Sequence, residues 1–217
     1  MREPLRWPAR CWVAASFVVL AGCTSAQEYV NHYAHPSPSL AELTVCHGYG
    51  CRLPTPVRIE PAGWADIARL FEPASASAAD ERARLAQAIA LLEIKVGAAV
   101  GTSADQFAAA TFSRDPNQLD CIDETVNTTT YLRLLAREGL MRWHVVGTAA
   151  QRGSVSGFSY NDFITNTAVI VEIATGTAYA IDSYFYPNGR EPKIMPLAEW
   201  KKNWRPAPND PLLRPMQ

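Results

Sequence analysis

Residues 120–138, Asp-Cys-Ile-Asp-Glu-Thr-Val-Asn-Thr-Thr-Thr-Tyr-Leu-Arg-Leu-Leu-Ala-Arg-Glu, decide how this chain folds. A helix is predicted to begin at Cys121, because Asp120 is a favourable N-cap and a second aspartate stands at the third helical position. Gly139 is expected to end it. The middle, residues 127–130, is an asparagine followed by three threonines, which have poor helix propensity. Tertiary packing must therefore support this helix.

A longer helix is predicted upstream, with Ser77 as its N-cap and Asp80 in a weaker aspartate form of the capping box. Its apolar residues recur at spacings of three and four, which buries one face. These residues are Leu85, Ile89, Leu92 and Val96. Gly97 and Gly101 are expected to end the helix.

Strands dominate the sequence after Gly139. Strands are predicted over 143–148, 167–173 and 177–185, a polar loop over 153–162, and a short helix near Pro196 that carries Trp200 and Trp204. Helices followed by a run of strands favour an α+β fold, with N-terminal helices packed on a small antiparallel sheet.

The last two of these strands form a predicted hairpin. If Thr175 and Gly176 make a two-residue turn, the ladder places Asp182 opposite Val169. Thr167 is then a diagonal neighbour of Asp182 on the same face of the sheet.

The N-terminus has the order of an export signal, predicted over residues 1–22. Three arginines precede an apolar run at 11–20, which is too short to span a bilayer. Leu20-Ala21-Gly22-Cys23 resembles a lipobox, which implies cleavage before Cys23 and lipid on its thiol. An ordinary signal peptide or a buried helix is the competing interpretation. Thr24, rather than aspartate, favours the outer membrane over the inner one.

The charge balance excludes one class of partner. The chain has 20 Lys and Arg against 21 Asp and Glu, and the predicted signal removes more basic than acidic side chains. Nucleic-acid binding relies on basic surfaces that neutralise phosphates, so no nucleic-acid partner is expected. No phosphate-binding glycine loop or metalloprotease signature is present, and no cofactor or metal is predicted.

Cysteine positions are informative in a compartment that permits disulfides. Once the signal is removed and Cys23 is acylated, Cys46, Cys51 and Cys121 remain. A Cys46–Cys51 disulfide would close a small loop containing two glycines and leave Cys121 free. A bridge from Cys121 to either of the other two stays open as an alternative, and a zinc site there lacks a second ligand pair.

These features predict one folded unit behind a tether. The predicted segments are a tether at 23–45, an irregular segment at 46–76 with a short helix at 64–71, a main domain at 77–205 and a tail at 206–217. The tether contains His32 and His35, which are interpreted as solvated side chains.

Asp120-Cys121-Ile122-Asp123, followed by a leucine-rich helix, a glycine and a strand, resembles the nucleophile segment of the transglutaminase-like superfamily. The resemblance is greatest to the bacterial transglutaminase-like cysteine proteinases. It implies a papain/transglutaminase-like fold over roughly 80–205 and a triad of cysteine, histidine and aspartate. Asp182 matches the aspartate of that triad.

The histidine of the family pattern is missing. Thr167 stands where the resemblance implies histidine, and neither it nor Asn166 can act as a base near neutral pH. His144 is the residue expected to assist Cys121 and Asp182, with His47 as a further candidate. Asp182 would otherwise cap its strand or pair with Arg190.

Two functions therefore compete. The first is a cysteine peptidase or acyl transferase acting on envelope proteins or peptides, with Cys121 as nucleophile. The second is a catalytically inactive binding or scaffolding lipoprotein. In both, the membrane is a partner through the lipid on Cys23.

Overall fold

The structure is a computed structural model that describes residues 25–106, 115–153 and 164–214. In those ranges the chain forms helices and antiparallel sheets, which confirms the α+β class. The helices are α1 Ala26–Tyr33, α2 Pro61–Arg69, α3 Ala78–Val100, α4 Cys121–Arg137 and α5 Leu197–Trp200. The strands are β1 Leu43–His47, β2 Leu53–Val57, β3 His144–Val146, β4 Ala150–Arg152, β5 Thr165–Glu172, β6 Ala178–Asp182 and β7 Lys193–Pro196.

Both long helices begin where the sequence predicts. The Ser77 hydroxyl accepts the Asp80 N–H at 3.1 Å, and α3 ends at Gly101 with a left-handed φ of 86°. At α4, the Asp120 carboxylate accepts the Ile122 N–H, and a capping box is formed with the aspartate at the third position. Gly101 and Gly139 follow the helix ends as predicted, whereas Gly97 lies inside α3 and does not end it.

The threonines of α4 explain how a sequence of poor propensity stays helical. The hydroxyls of Thr125, Thr129 and Thr130 each donate to the carbonyl four residues earlier, at 2.7 to 2.9 Å. Bonds of this kind satisfy polar groups in a helix that is buried on almost every side. Packing supports α4, because it lies between β1 and β5.

The larger sheet has the strand order β3-β5-β6-β7, and β4 also pairs with β5. All of these pairs are antiparallel. One face of the sheet packs on α3 and α4 through Ala168, Ile170 and Ile181. Strand β5 is therefore the centre of the sheet and the element on which the candidate site depends.

The predicted hairpin register is wrong by two residues. Ala168 pairs with Ile181, so Asp182 continues opposite Thr167 rather than Val169. The turn is longer than predicted, because the Gly176 N–H donates to the Glu172 carbonyl and closes a four-residue loop. A shift by two keeps each side chain on the same face, so the predicted alternation survives.

The segment at 46–76 is not irregular as predicted. It contains the end of β1, all of β2, and α2, which begins at Pro61 rather than near Trp64. Side chains from this region lie in the same core as those of α3 and α4. Prolines in β2 are tolerated because a strand of a two-stranded sheet has a free edge.

The predicted tether and tail are also more ordered than expected. Helix α1 begins at Ala26, where Ser25 and Glu28 form a capping box, and it packs against α4. At the other end, the Tyr186 hydroxyl donates to Asp210, next to a 3₁₀ turn at Pro211–Leu213. Both elements are too short to show a clear apolar periodicity, so the sequence did not predict either of them.

Several predictions fall outside the described residues: the export signal, Cys23, Thr24 and most of the polar loop at 153–162. Within the described part, no helix is both long enough and apolar enough to cross a membrane.

Candidate site around Cys121

Cys121 is the first residue of α4 and is 7% exposed. Its thiol donates to the Ile164 carbonyl at 3.8 Å, and the side-chain amide of Asn166 donates to the sulfur at 3.9 Å. Burial raises the Cys121 pKa far above its usual range, the charge of Asp120 raises it further, and a backbone hydrogen bond from Asn166 opposes both. Burial therefore outweighs the favourable position at a helix N-terminus, and the sulfur is a neutral thiol at physiological pH.

The Asn166 amide is held in place by the neighbouring strand. The Gln151 Nε2 donates to the Asn166 Oδ1 at 3.1 Å, and these two residues are paired across β4 and β5. This bond turns the Asn166 NH₂ group towards the sulfur. The three hydrogen bonds form a chain in which Gln151 donates to Asn166, Asn166 donates to Cys121, and Cys121 donates to the Ile164 carbonyl.

Thr167 and Asp182 lie on the other face of the sheet. Side chains alternate along a strand, and Asn166 and Ala168 face α4. Thr167 is therefore turned away from Cys121. Asp182 is opposite Thr167, and its Oδ2 accepts the Trp200 indole N–H of α5 at 2.5 Å. The structure therefore does not bring Asp182 to the side of the sheet on which Cys121 lies, as a triad with Cys121 would need.

Asp182 instead belongs to a cluster that holds α5 on the sheet. Burial raises the Asp182 pKa to about 6, opposed by the Trp200 N–H and the positive charge of Arg152. The Arg152 guanidinium lies over the Trp200 ring and donates to the carbonyls of Trp200 and Trp204. The proposed alternative pairing with Arg190 is wrong, because the Arg190 guanidinium donates to the Arg214 carbonyl.

His144 is at the opposite end of β5 from Cys121. It pairs with Glu172, six residues along the strand from Asn166, or about 20 Å away. Its Nδ1 contacts Glu81 Oε1 at 2.9 Å, and its Nε2 contacts Arg82 Nη1 at 3.1 Å. Because arginine can only donate, Nε2 accepts and Nδ1 donates, which leaves both nitrogens occupied. The structure therefore does not bring His144 to Cys121, which it was predicted to assist.

The other histidines give no substitute. All four histidines of the chain lie in the described residues, and none of them contacts the Cys121 sulfur in that part of the structure. His47 uses Nδ1 against the Pro116 carbonyl at 2.7 Å and Nε2 against the Thr55 hydroxyl at 2.9 Å. The thiol has no imidazole partner in this geometry.

The disulfide loop 46–51 packs against the N-terminus of α4. Cys46 and Cys51 are bonded and Cys121 is free, as the sequence predicts. All four residues from 48 to 51 have left-handed φ values between 56° and 78°. Such a run turns successive N–H groups towards one side of the loop. Two glycines lower its backbone cost.

Those N–H groups bind the two capping aspartates of α4. Tyr49 and Cys51 donate to the two oxygens of Asp123 at 2.8 and 2.7 Å, and Gly50 donates to Asp120 at 3.0 Å. Asn127, one turn further along α4, both donates to and accepts from the Cys46 backbone. The loop and the start of α4 therefore form one rigid unit.

Buried carboxyl groups surround the first half of α4. Burial, followed by the other negative charges, raises the pKa of Asp105 to about 8 and that of Asp123 to about 7. Burial also raises the pKa of Glu93 to about 7 and that of Glu124 well above its usual value. The same burial that raises the pKa of these acids disfavours a thiolate at Cys121.

One group of metal-ligand types occurs in the described residues. Atoms of Cys46, Cys51 and Asp123 all lie within 4.8 Å of one another. The disulfide consumes both sulfurs, and the carboxylate already accepts three backbone N–H groups. Zinc needs deprotonated thiols, so these residues do not fit a zinc ion in the oxidised form.

No protein-family model, curated protein or solved structure matches this chain.

Sequence reasoning found Cys121, Asp120 and the disulfide but missed the residues around them. The predicted hairpin places the missing histidine at residue 167 rather than 166, because a diagonal contact across the hairpin does not reveal which face of β5 is covered by α4. Glu81, which binds His144, has no local signal beyond its position in the first turn of α3.

Proposed function

We propose that this chain is a lipid-anchored envelope protein whose papain/transglutaminase-like domain is catalytically silent and acts in binding or scaffolding. One observation carries the proposal: the buried Cys121 thiol contacts an amide and a carbonyl, and no histidine lies beside it. The expected partner is an envelope protein or peptide. Anchoring is proposed through lipid on Cys23, at the outer membrane.

The chemistry of thiol enzymes argues against activity here. A cysteine nucleophile needs a base to take its proton or an imidazolium to stabilise its thiolate. Asn166 can provide neither, and the carboxyl groups nearest in sequence, Asp120 and Asp123, are engaged by backbone N–H groups. Negative charge close to the sulfur further disfavours the thiolate.

The family resemblance is supported by the local architecture. A cysteine heads the central helix, an antiparallel pair of strands follows, and the first of these strands faces the sulfur. In such a domain Asn166 occupies the place from which a histidine would reach the cysteine. The domain is then a scaffold that keeps the framework of a thiol enzyme without its base.

One observation favours the competing function, a cysteine peptidase or acyl transferase. Cys121 is free and stands at a helix N-terminus in an oxidising compartment, where an unpaired cysteine is uncommon.

Labelling with a peptidyl vinyl sulfone separates the two functions. We expect native full-length protein and Cys121→Ser to remain equally unlabelled at pH 7.5, while wild type in denaturant reacts with iodoacetamide at this position. Parallel labelling of a papain-type proteinase checks the probe. Selective native labelling of Cys121, abolished in Cys121→Ser, would overturn the proposal.

A further inference from the structure

The folded domain begins almost directly after the proposed lipid site. Helix α1 starts at Ala26 with Ser25 as its N-cap, two residues after Cys23. Two extended residues span about 7 Å, so there is no room for a flexible stalk if α1 stays in place.

Contacts along its whole length hold α1 on the domain. Ala26 and Val30 are 1% exposed and pack in a cluster with Val126 and Ala149. The Ala149 N–H donates to the side-chain carbonyl of Gln27 at 2.7 Å. Buried apolar contact together with a bond to another element makes α1 part of the folded unit.

Two arginines of α4 fasten the chain that follows α1. Arg133 donates to the carbonyls of Ala34 and His35 at 3.2 Å. Arg137, one turn later, donates to the carbonyls of Ser37 and Pro38 at 3.0 and 3.1 Å. Charge-assisted bonds to four different residues would have to break before this segment could extend as a tether.

These contacts also fix the direction of α1. Its first half packs near Val126 and the disulfide loop, and its end lies beside Arg133, so α1 and α4 run in parallel. The chain therefore enters the domain at the end of α4 that carries Cys121. We call this end the anchor-end face, and define it as the first turn of α1, the loop 46–51 and residues 115–118.

We infer that the anchor-end face lies against the lipid headgroups, so that the domain stands on the membrane without a stalk and with its Cys121 end inward. The inference rests on the proposed lipid anchor at Cys23. Its basis is the length of chain between the anchor and the first fixed residue. The opposite end, with the turn at 173–176, would point away from the membrane, on the order of 25 Å further out along the 17 residues of α4.

This orientation narrows the class of partner. A protein that contacts the disulfide loop would have to do so at the membrane surface, as another anchored protein or a membrane-proximal segment would. A freely diffusing partner would instead meet the outward end. The lipid thus sets which surface of the domain is accessible.

Fluorescence quenching by headgroup-labelled lipids tests the orientation. Full-length lipidated protein in the Cys121→Ser background would carry one fluorophore, at Asn117→Cys on the anchor-end face or at Ala174→Cys in the outward turn. In phosphatidylethanolamine and phosphatidylglycerol vesicles with a nitroxide on the headgroup, we expect quenching at 117 to exceed that at 174 at least threefold. A variant with twelve Gly and Ser residues inserted between Thr24 and Ser25 should bring the ratio near one.

The possible failures are distinguishable. Equal quenching at both positions, in protein that carries lipid by mass spectrometry, would overturn the orientation and leave the anchor intact. Absence of acyl groups on Cys23 would overturn the anchor itself, and with it the lipoprotein part of the proposed function. Vinyl sulfone reactivity bears on neither result.

Discussion

The two ends of β5 hold buried polar clusters that are built in opposite ways. At the Glu172 end, Glu81 accepts the N–H groups of Arg142, Trp143 and His144 and also contacts the His144 ring. Burial alone would raise the Glu81 pKa, but these hydrogen bonds hold it below its usual value. At the Asn166 end, the acids around α4 have raised pKa values and the thiol stays neutral.

The contrast explains why a chain with both a cysteine and a histidine need not be a thiol enzyme. The imidazole is present in the fold, but its position at the far end of β5 gives it a structural task. One cluster is stabilised by hydrogen bonds to an ionised carboxylate, and the other by acids that keep their protons. Substitutions at the two ends should therefore change the free energy of unfolding by different amounts, and these changes should depend differently on pH.

Glu81→Ala should have the largest effect. It leaves three backbone N–H groups and the His144 ring without their acceptor in a buried place, and losing such a partner costs about 3 to 5 kcal/mol. Urea unfolding at pH 7 measures this loss. Glu172→Gln weakens the ion pair with Arg82 and keeps an acceptor for the Tyr179 hydroxyl, so it serves as the control and should cost under about 1 kcal/mol. Equal losses would contradict the account of this cluster.

Glu93→Gln should change how stability depends on pH. The folded Glu93 pKa is raised to about 7, so the folded state binds the proton more tightly than the unfolded state. Stability contributed by the protonated form is present below about pH 4.5 and falls as the pH rises towards 7. Glutamine should remove this loss and stabilise the protein at pH 8 by on the order of 3 kcal/mol, with little change at pH 4.

Thermal unfolding between pH 4 and 8 measures that difference. The contribution of Glu81 depends on pH in the opposite direction: because its pKa is lowered, it adds stability above pH 4.5, and this stability is lost as the pH falls below that value. A wild-type Tm that rises steadily from pH 5 to 8 would contradict the protonated state of the acids around α4.

Replacing both Cys46 and Cys51 by serine should cost about 2 kcal/mol, mostly by freeing the unfolded chain. The loop also supplies three N–H groups to Asp120 and Asp123, so hydrogen exchange should increase at the first turn of α4. Exchange in β3, at the other end of the sheet, is the internal control. Unchanged protection at residues 121–124 would show that the loop does not hold this helix.

Asn166→His should make Cys121 more reactive, by about tenfold in its rate of alkylation at pH 7.5, since an imidazole would replace the amide that contacts the sulfur. Thr167→His is the matched control, because residue 167 faces the other side of the sheet and should leave the rate unchanged. Proteolytic activity is not expected from either, because Asp182 is on that other side. A larger effect from Thr167→His would show that residue 167, rather than residue 166, faces Cys121.

Residues 166 and 167 also show which features of the fold could not be predicted from the sequence. Ser77, Asp120 and the spacing of Cys46 and Cys51 act through neighbours a few residues away, so helix starts and the disulfide were predictable. The hairpin register depended on the hydrogen bond that Gly176 makes to Glu172, which local composition does not specify. Which face of β5 meets α4, and where His144 finds its partners, depend on contacts between residues about 45 to 60 apart in sequence.

The state of the Cys121 thiol tests the central claim most directly. Thiolate absorbance near 240 nm, taken as the difference between wild type and Cys121→Ser in native full-length protein, should show no titration between pH 6 and 9. Burial and the neighbouring aspartates keep the proton on the sulfur throughout that range. A thiolate that forms with a midpoint below pH 8 would contradict the account and restore Cys121 as a nucleophile.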